Sequence, residues 1–423
     1  MTEEFLHYLW RFQLIDQPLM SMDGEYLEVV SPGIRNHDSG PDYLNARIRI
    51  GDTLWAGDVE IHVKASDWMV HAHDVDRAFG SVILHVVHEG DREICRPDGQ
   101  SIPTLNLSGR YDSILLSRYE NFLSSISWIP CANSLLLMEE NQIKPWLNHL
   151  AEVRISRRSG WIDRLFIDNQ GHAETSLYHC LAAGYGLKVN AEPFTWLAKR
   201  LDLRMVMRHQ DELLSLEALF FGQAGFLNEP AVDDYQASLL EQYHFFKAKY
   251  HLEPLEKHIW KFLRMRPAGF PTVRIAHFAA FLHEVADHPA RLLKWQEPES
   301  IFSMFGQEVS PYWQVHYHFG KAGHRLPATL GKDAILNIVL NCLIPFRYVM
   351  ALRAGEQLPA PELLEMMSHL PAEDNTVTRS WRQCGIEAET ALESQALLEL
   401  KNQYCNLKNC LQCDIGRIIL SLK

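Results

Sequence analysis

Residues 39–64, SGPDYLNARIRIGDTLWAGDVEIHVK, decide the fold. Two alternating runs, Tyr43 to Ile50 and Leu54 to Lys64, flank the turn Gly51-Asp52-Thr53, and this pattern predicts a β-hairpin. With Asp52-Thr53 as a two-residue turn, Ile50 faces Trp55, Ile48 faces Gly57, Ala46 faces Val59 and Leu44 faces Ile61, an apolar face. The polar face pairs Arg47 with Asp58, Asn45 with Glu60 and Tyr43 with His62, and the opposite charges of the first pair support the register. Strict alternation leaves Asp42 on the face away from Glu60. The Gly40-Pro41 step is the expected device that swings it across.

Two carboxylates meeting across a hairpin make a hard-oxygen site for a divalent cation. A basic group two residues beyond the second carboxylate shares its strand face. That layout suits metal-assisted phosphodiester hydrolysis, in which the cation holds the phosphate and lowers the pKa of an attacking water. Asp42 and Glu60 are therefore candidate ligands for Mg²⁺ or Mn²⁺, with His62 as a third ligand or proton carrier and Lys64 as the basic group. The competing reading is the polar edge of an ordinary hairpin preceded by a Gly-Pro-Asp turn.

Outward from the hairpin, residues 2–12 predict a short helix capped by Thr2, with Glu3 and Glu4 in its first turn and Phe5, Tyr8, Leu9 and Phe12 as its apolar stripe. Tyr26 to Val30 predicts a strand, Val82 to His88 a buried strand, and Ile94 to Leu107 one or two more. The order is helix, three strands, a short crossover, then a strand. From about residue 110 apolar residues recur at three and four, as in Leu213, Leu216, Leu219 and Phe220, and prolines punctuate a helical pattern. The expected class is α+β, with a mixed α/β domain over 1–130, a helical domain over 131–380 and a cysteine-bearing helical segment over 381–423.

The 423 residues are 47% hydrophobic and 22% charged, an ordinary globular composition. No run approaches the ~18 consecutive apolar residues of a membrane span, and Met1-Thr2-Glu3-Glu4 lacks a basic leader region. A cytoplasmic protein without a membrane partner, its cysteines reduced or metal-bound, is the expectation. A net charge of −13 argues against coating nucleic acid by bulk charge. Local basic groups remain: Arg154, Arg157, Arg158 and Arg164; Lys199, Arg200, Arg204 and Arg208; Lys261, Arg264, Arg266 and Arg274. Each reads as a solvated helix face or as a phosphate track.

Six of the 21 histidines, His37, His62, His71, His73, His85 and His88, fall between residues 37 and 88, among Asp38, Asp42, Glu60, Asp67, Asp74 and Asp76. Imidazole in mixed sites favours zinc, iron or manganese, so a histidine-containing hydrolase centre is a variant of the same reading. His71 and His73 lie in an expected loop and are free to ligate. His85, inside an apolar strand, reads as a hydrogen-bonded core residue. At the C-terminus Cys384, Cys405, Cys410 and Cys413 have the spacing C-x20-C-x4-C-x2-C. They read as ligands of Zn²⁺ or an iron–sulfur cluster, or as small core hydrophobes. Cys95, Cys131, Cys180 and Cys342 are isolated and expected in the core. No Walker loop, dinucleotide fingerprint, nucleophile elbow or His-Glu-x-x-His helix occurs.

The stretches MTEEFLHYLWRF, SGPDYLNARIRIGDTLWAGDVEIHVKASDW, VILHVVHEGD, LFFGQAGFL, RMRPAGFPTVRIAHFAAFL and YCNLKNCLQCDIG carry a resemblance to a bacterial family defined by a domain of unknown function, over essentially the whole chain. The N-terminal part separately resembles the PD-(D/E)XK nuclease fold. That resemblance implies Asp42 as the metal-binding aspartate after proline and Glu60 as the second carboxylate. His62 stands where those enzymes usually carry lysine, with Lys64 one pleat further on and Glu4 as an accessory ligand. It implies a metal-dependent nuclease of DNA or RNA. The rivals are a nuclease-like scaffold that has lost activity and binds nucleic acid or protein, and a histidine-rich metallohydrolase of a small molecule.

Overall fold

Period-two alternation does build the long hairpin, but with its turn one residue earlier than expected and a kink the pattern did not announce. The computed structural model describes residues 1–422 apart from 37, 97, 137, 228–229, 286–291, 296 and 357–359; His37 thus lies outside the described residues. The chain divides into two units, Met1–Ile143 with Lys401–Lys423, and Lys144–Leu400. With 54% of the chain helical and a sheet in its N-terminal part, the class is α+β.

The first unit runs α1 (Glu3–Phe12), β1 (Leu19–Met20), β2 (Tyr26–Ser31), β3 (Ile34–Arg35), β4 (Tyr43–Ile50), β5 (Thr53–Lys64), α2 (Asp67–Val70), a 3₁₀ turn (Arg77–Ser81), β6 (Val82–Glu89), β7 (Thr104–Asn106), α3 (Ser113–Ser124) and α4 (Ala132–Leu135). The sheet order is β1-β2-β4-β5-β6-β7, with β3 also paired to β4. The first four strands of that path are antiparallel neighbours, while β5, β6 and β7 are parallel. The parallel step follows from chemistry in the crossover: α2 and the 3₁₀ turn carry the chain back so that β6 can lie beside β5. Trp68, Phe79, Val82, Ile94 and Ile102 form one buried cluster there. Each such side chain contributes about 1.5–3 kcal/mol by leaving water.

In β4 and β5 the turn is Gly51-Asp52, so Ile50 faces Thr53, Ile48 faces Trp55 and Arg47 faces Ala56, two residues away from the expected register. Arg47 and Asp58 are therefore not partners; Asp58 accepts from Asn45 N–H and from the Ser81 hydroxyl. The register then shifts between Tyr43 and Ala46, where Asn45 takes φ 59° and Tyr43 comes opposite Val59. This bulge, in addition to the positive φ of Gly40, turns Asp42 to the face of Glu60. Asparagine tolerates the left-handed region better than other residues with a Cβ.

Helix α1 begins as expected, with the Thr2 hydroxyl accepting from Phe5 N–H. It packs on β5 through a fully buried face of Phe5, Leu6, Leu9 and Trp10. The Tyr43 hydroxyl donates to the His7 carbonyl and Trp10 Nε1 donates to the Pro32 carbonyl. Phe5 stacks on Tyr119 of α3, and the Arg417 guanidinium lies 4.5 Å over the Phe12 ring, so the C-terminal segment closes this unit.

Among the described residues the second unit is helical apart from the small hairpin His316–His318 and Lys321–Ala322. Its core centres on Phe278, which meets Tyr178, Tyr185, Phe194 and Phe220. The segment Lys332–Arg353 is long and apolar enough to cross a membrane by length and composition, and 61% of its most apolar window is buried within the fold. Two members of the first basic group pair with one buried carboxylate: Glu399 accepts from Arg157 Nε and Nη2 at 2.8 and 2.7 Å and from Arg154 Nη1 at 3.3 Å. Arg274 is also buried, donating to the Tyr185 carbonyl. Arg154 and Arg274 belong to the interior, whereas Arg157 is exposed and reaches inward to Glu399.

Candidate metal centre

On β5 the alternation places Glu60 and His62 on one face, and the bulge in β4 adds Asp42. The Asp42 N–H donates to Glu60 Oε2 at 3.0 Å, and Asp42 Oδ2 accepts from Ile61 N–H at 2.9 Å. Glu60 keeps its other oxygen for the imidazoles: Oε1 stands 3.6 Å from His62 Nε2 and 3.3 Å from His73 Nε2. His71 Nδ1 lies 3.1 Å from His62 Nε2. His62, His71 and His73 each offer one ligand atom, all within 4.8 Å of one another. Ligand atoms held 2.0–2.1 Å from one ion stand about 3.4 Å apart in a tetrahedron, so these separations suit a shared ion.

The loop after α2 supplies two of the ligands. Ala72, at φ 60°, separates His71 from His73 and lets both turn to the sheet. The His73 ring stacks on Phe79 at 3.7 Å and meets Trp68 edge-on, which fixes its plane. Behind the centre, His62 Nδ1 lies 2.9 Å from His85 Nε2, and His85 is fully buried. That contact leaves His62 Nε2 to face Glu60, the usual role of a group behind a ligating imidazole. From α1, His7 Nε2 lies 3.8 Å from Asp42 Oδ1 and 3.7 Å from Glu3 Oε1. Glu3, not Glu4, is thus the acid beside the site; Glu4 pairs with Arg35 at 2.7 Å.

Burial governs the electrostatics. It pushes Glu60 up to about 9, helped by the Asp42 carboxylate and opposed by the Asp42 N–H bond. Burial also raises Asp42, against the pull of His7 and the Ile61 N–H. It pushes His62 down to about 4 and lowers His73 and His85. The imidazoles are therefore held neutral, the form that ligates metals. A cation entering beside the neutral His62 and His73 would stabilise this charge-poor pocket and favour the ionised form of Glu60.

Family membership is decided by the match of residues 3–376 to the family described as Protein of unknown function (DUF2851). The chain belongs to this family. No curated protein and no solved structure matches it.

In this DUF2851 chain Lys64 is half-exposed and its ammonium faces Glu89 at 3.6 Å. His71 and His73 were legible as loop histidines free to ligate, whereas Glu3 and His7 were not singled out. Their i, i+4 spacing on α1 was the available signal. An open cavity of about 590 Å³ in the second unit, lined by His209, Ser215, Glu241 and Phe245 among others, gathers no comparable ligand set among the described residues.

The cysteines lie outside the matched span 3–376 except for the early ones. Cys384 ends the helix Thr376–Gln383 in the second unit, while Cys405, Cys410 and Cys413 are buried in the first. Cys180 and Cys342 are core residues as expected, with the Cys342 thiol on the Cys180 carbonyl at 3.3 Å. Cys95, expected in the core, is exposed.

Proposed function

We propose that the first unit is a divalent-metal-dependent hydrolase of phosphodiester bonds, with nucleic acid as its substrate class. The observation that carries this reading is the convergence of His62, His71 and His73, their ligand atoms within 4.8 Å of one another, with Glu60 Oε1 3.6 Å from His62 Nε2 and 3.3 Å from His73 Nε2, beside the partly buried Asp42. The order α1, β2, β4, β5, crossover, β6, with β6 parallel to β5, supports the likeness to the PD-(D/E)XK fold. An imidazole-rich set suits Zn²⁺, Mn²⁺ or Fe²⁺ better than the oxygen-seeking Mg²⁺. His62, standing in the lysine position, then serves as a ligand.

A bound divalent cation supplies Lewis-acid polarisation of a phosphoryl oxygen and a lowered pKa for water. The chain's own groups do the rest. Glu60 and the three imidazoles hold the ion, and His85 fixes the orientation of His62. Asp42, beside the ion-sized group and raised by burial, holds or releases a proton at its Oδ1, with His7 next to it. Phe79 and Trp68 exclude water from one side of His73.

One observation favours a second reading. Lys64 is engaged with Glu89, so the usual lysine role lacks an obvious occupant, and a small-molecule metallohydrolase built on the same centre fits as well. The deciding experiment assays the full chain with Mn²⁺, Zn²⁺, Fe²⁺ or Mg²⁺ on DNA, RNA and a small aryl phosphodiester. Cleavage of nucleic acid that falls more than about 100-fold in Glu60→Gln, beyond the 10–100-fold cost of losing a group behind a ligand, supports the nuclease reading. Cleavage of the small diester alone moves the function to the second reading, and metal binding without hydrolysis of any substrate leaves a binding scaffold.

A further inference from the structure

The second unit buries one cation without a counter-ion. Arg274, on the helix Pro271–Val285, is 3% exposed. Its Nε donates to the Tyr185 carbonyl at 3.0 Å, whereas its Nη2 is enclosed and meets no acceptor among the described residues. The guanidinium lies 5.8 Å over the Tyr185 ring, and among the described residues no carboxylate pairs with it. Burial pulls it down to about 10, with Tyr185 opposing, so it stays charged at neutral pH. A charge taken out of water without a partner is costly. Elsewhere in the same unit Glu399 meets that cost for the buried Arg154.

Arg274 lines a cavity of about 290 Å³ together with His277, Thr329, Lys332 and Asp333. The continuous helix Lys332–Arg353 begins at the wall of this cavity, and its N-cap, Gly331, has no side chain to cap it. The first N–H groups of that helix and its positive end are therefore left to an anion. His277, one turn beyond Arg274, is 6% exposed, and burial and the Arg274 charge push its imidazole down to about 3. It is neutral and adds hydrogen-bonding capacity without charge. Asp333 is the carboxylate among the lining residues, and it is exposed. Val273, Leu326 and Leu330 give the cavity an apolar wall.

The chain that builds this cavity is basic within an acidic protein. Residues 257–274 carry Lys257, Lys261, Arg264, Arg266 and Arg274 and no Asp or Glu, and residues 316–332 carry Lys321, Arg325 and Lys332 and again none. The Thr272 hydroxyl donates to the Tyr317 carbonyl at 2.6 Å and the Phe262 ring meets His318, which joins the two stretches. A guanidinium, an ammonium and a helix start suit two negative charges better than the single charge of a carboxylate, and the guanidinium fork matches phosphate oxygens. The volume lies close to the lower end of the ~300–1,000 Å³ of ligand pockets, so an organic group fits beside the phosphate, against the apolar wall. We propose that this cavity binds the phosphate monoester of a small organic molecule, with Arg274, Lys332 and the start of the helix Lys332–Arg353 holding the phosphate.

The test titrates the full chain with phenyl phosphate by calorimetry, in phosphate-free buffer with a metal chelator so that no ion in the first unit holds the ligand. Expected is saturable binding of one phenyl phosphate per chain, displaced by inorganic phosphate and about tenfold or more tighter than benzoate. Lys332→Glu changes an exposed residue and should weaken binding by about tenfold or more, and Arg274→Met should abolish it. Should Arg274→Met fail to fold, wild-type crystals soaked in phenyl phosphate decide: the phosphate should lie within hydrogen-bond reach of the Arg274 guanidinium. No saturable binding, benzoate bound as tightly as phenyl phosphate, affinity unchanged in Lys332→Glu, or a phosphate seated away from Arg274 would each overturn the proposal.

Discussion

Asp42 and Glu60 are tied to each other by backbone as much as by charge: the Asp42 N–H donates to Glu60 Oε2 at 3.0 Å while Asp42 Oδ2 accepts from the N–H of Ile61 at 2.9 Å. One oxygen of each carboxylate is thereby committed to the sheet. Glu60 Oε1 remains for the imidazoles and Asp42 Oδ1 for His7. Asp42→Asn keeps both backbone bonds, because its amide oxygen can still accept from Ile61. The expected outcome is metal affinity within a few-fold of wild type, by calorimetric titration with Mn²⁺ or Zn²⁺, together with a large fall in hydrolysis rate. Equal rates for Asp42→Asn and wild type would remove Asp42 from the proton-handling role.

His62 distinguishes a ligand from a lysine substitute. An ammonium cannot coordinate the ion, so His62→Lys should abolish metal binding; a variant with retained or higher activity would restore the lysine role. His85→Phe removes the group behind His62 and should weaken metal binding about 10–100-fold. Unchanged affinity in that variant would mean that the 2.9 Å contact does not orient the ligand.

The bulge carries a stability prediction of its own. Asn45 sits at φ 59°, where a β-branched residue is strained. Asn45→Val should cost about 1–2 kcal/mol, read as a lower denaturant midpoint, and should weaken metal binding by pulling Asp42 off the face of Glu60. Asn45→Gly should be tolerated.

Much of this was legible in the chain. Alternation located β4 and β5, a capping threonine located α1, and the crossover between Lys64 and Val82 announced itself through its loop residues. Asp42 and His62 each lie against Glu60, one through its backbone N–H and the other through its ring. What the sequence concealed was geometry one residue wide. A turn of Gly51-Asp52 and an extra residue near Asn45 change the cross-strand partners without altering the hydrophobic pattern, so Arg47 and Asp58 could be paired on paper and separate in space.

The second unit offers a pH test independent of any metal. Glu217 is buried with the Tyr235 hydroxyl donating to it at 2.5 Å, and burial pushes its carboxyl up to about 7, opposed by Tyr235, Ser310 and His283. A raised folded-state value means that the folded chain holds this proton more tightly than the unfolded chain. Its contribution is full below the ordinary value of 4.5 and declines as pH rises through 7. Glu217→Gln should flatten the decline in thermal midpoint between those values; an unchanged slope would show that Glu217 ionises freely in the fold.

The central claim is that Glu60, His62, His71 and His73 share one ion. An anomalous difference map from crystals of the full chain grown with Zn²⁺ or Mn²⁺ tests it most directly. The account predicts one strong peak about 2.0–2.2 Å from Glu60 Oε1, His62 Nε2, His71 Nδ1 and His73 Nε2. At saturating metal, an ordered site with no peak among these four atoms would contradict it.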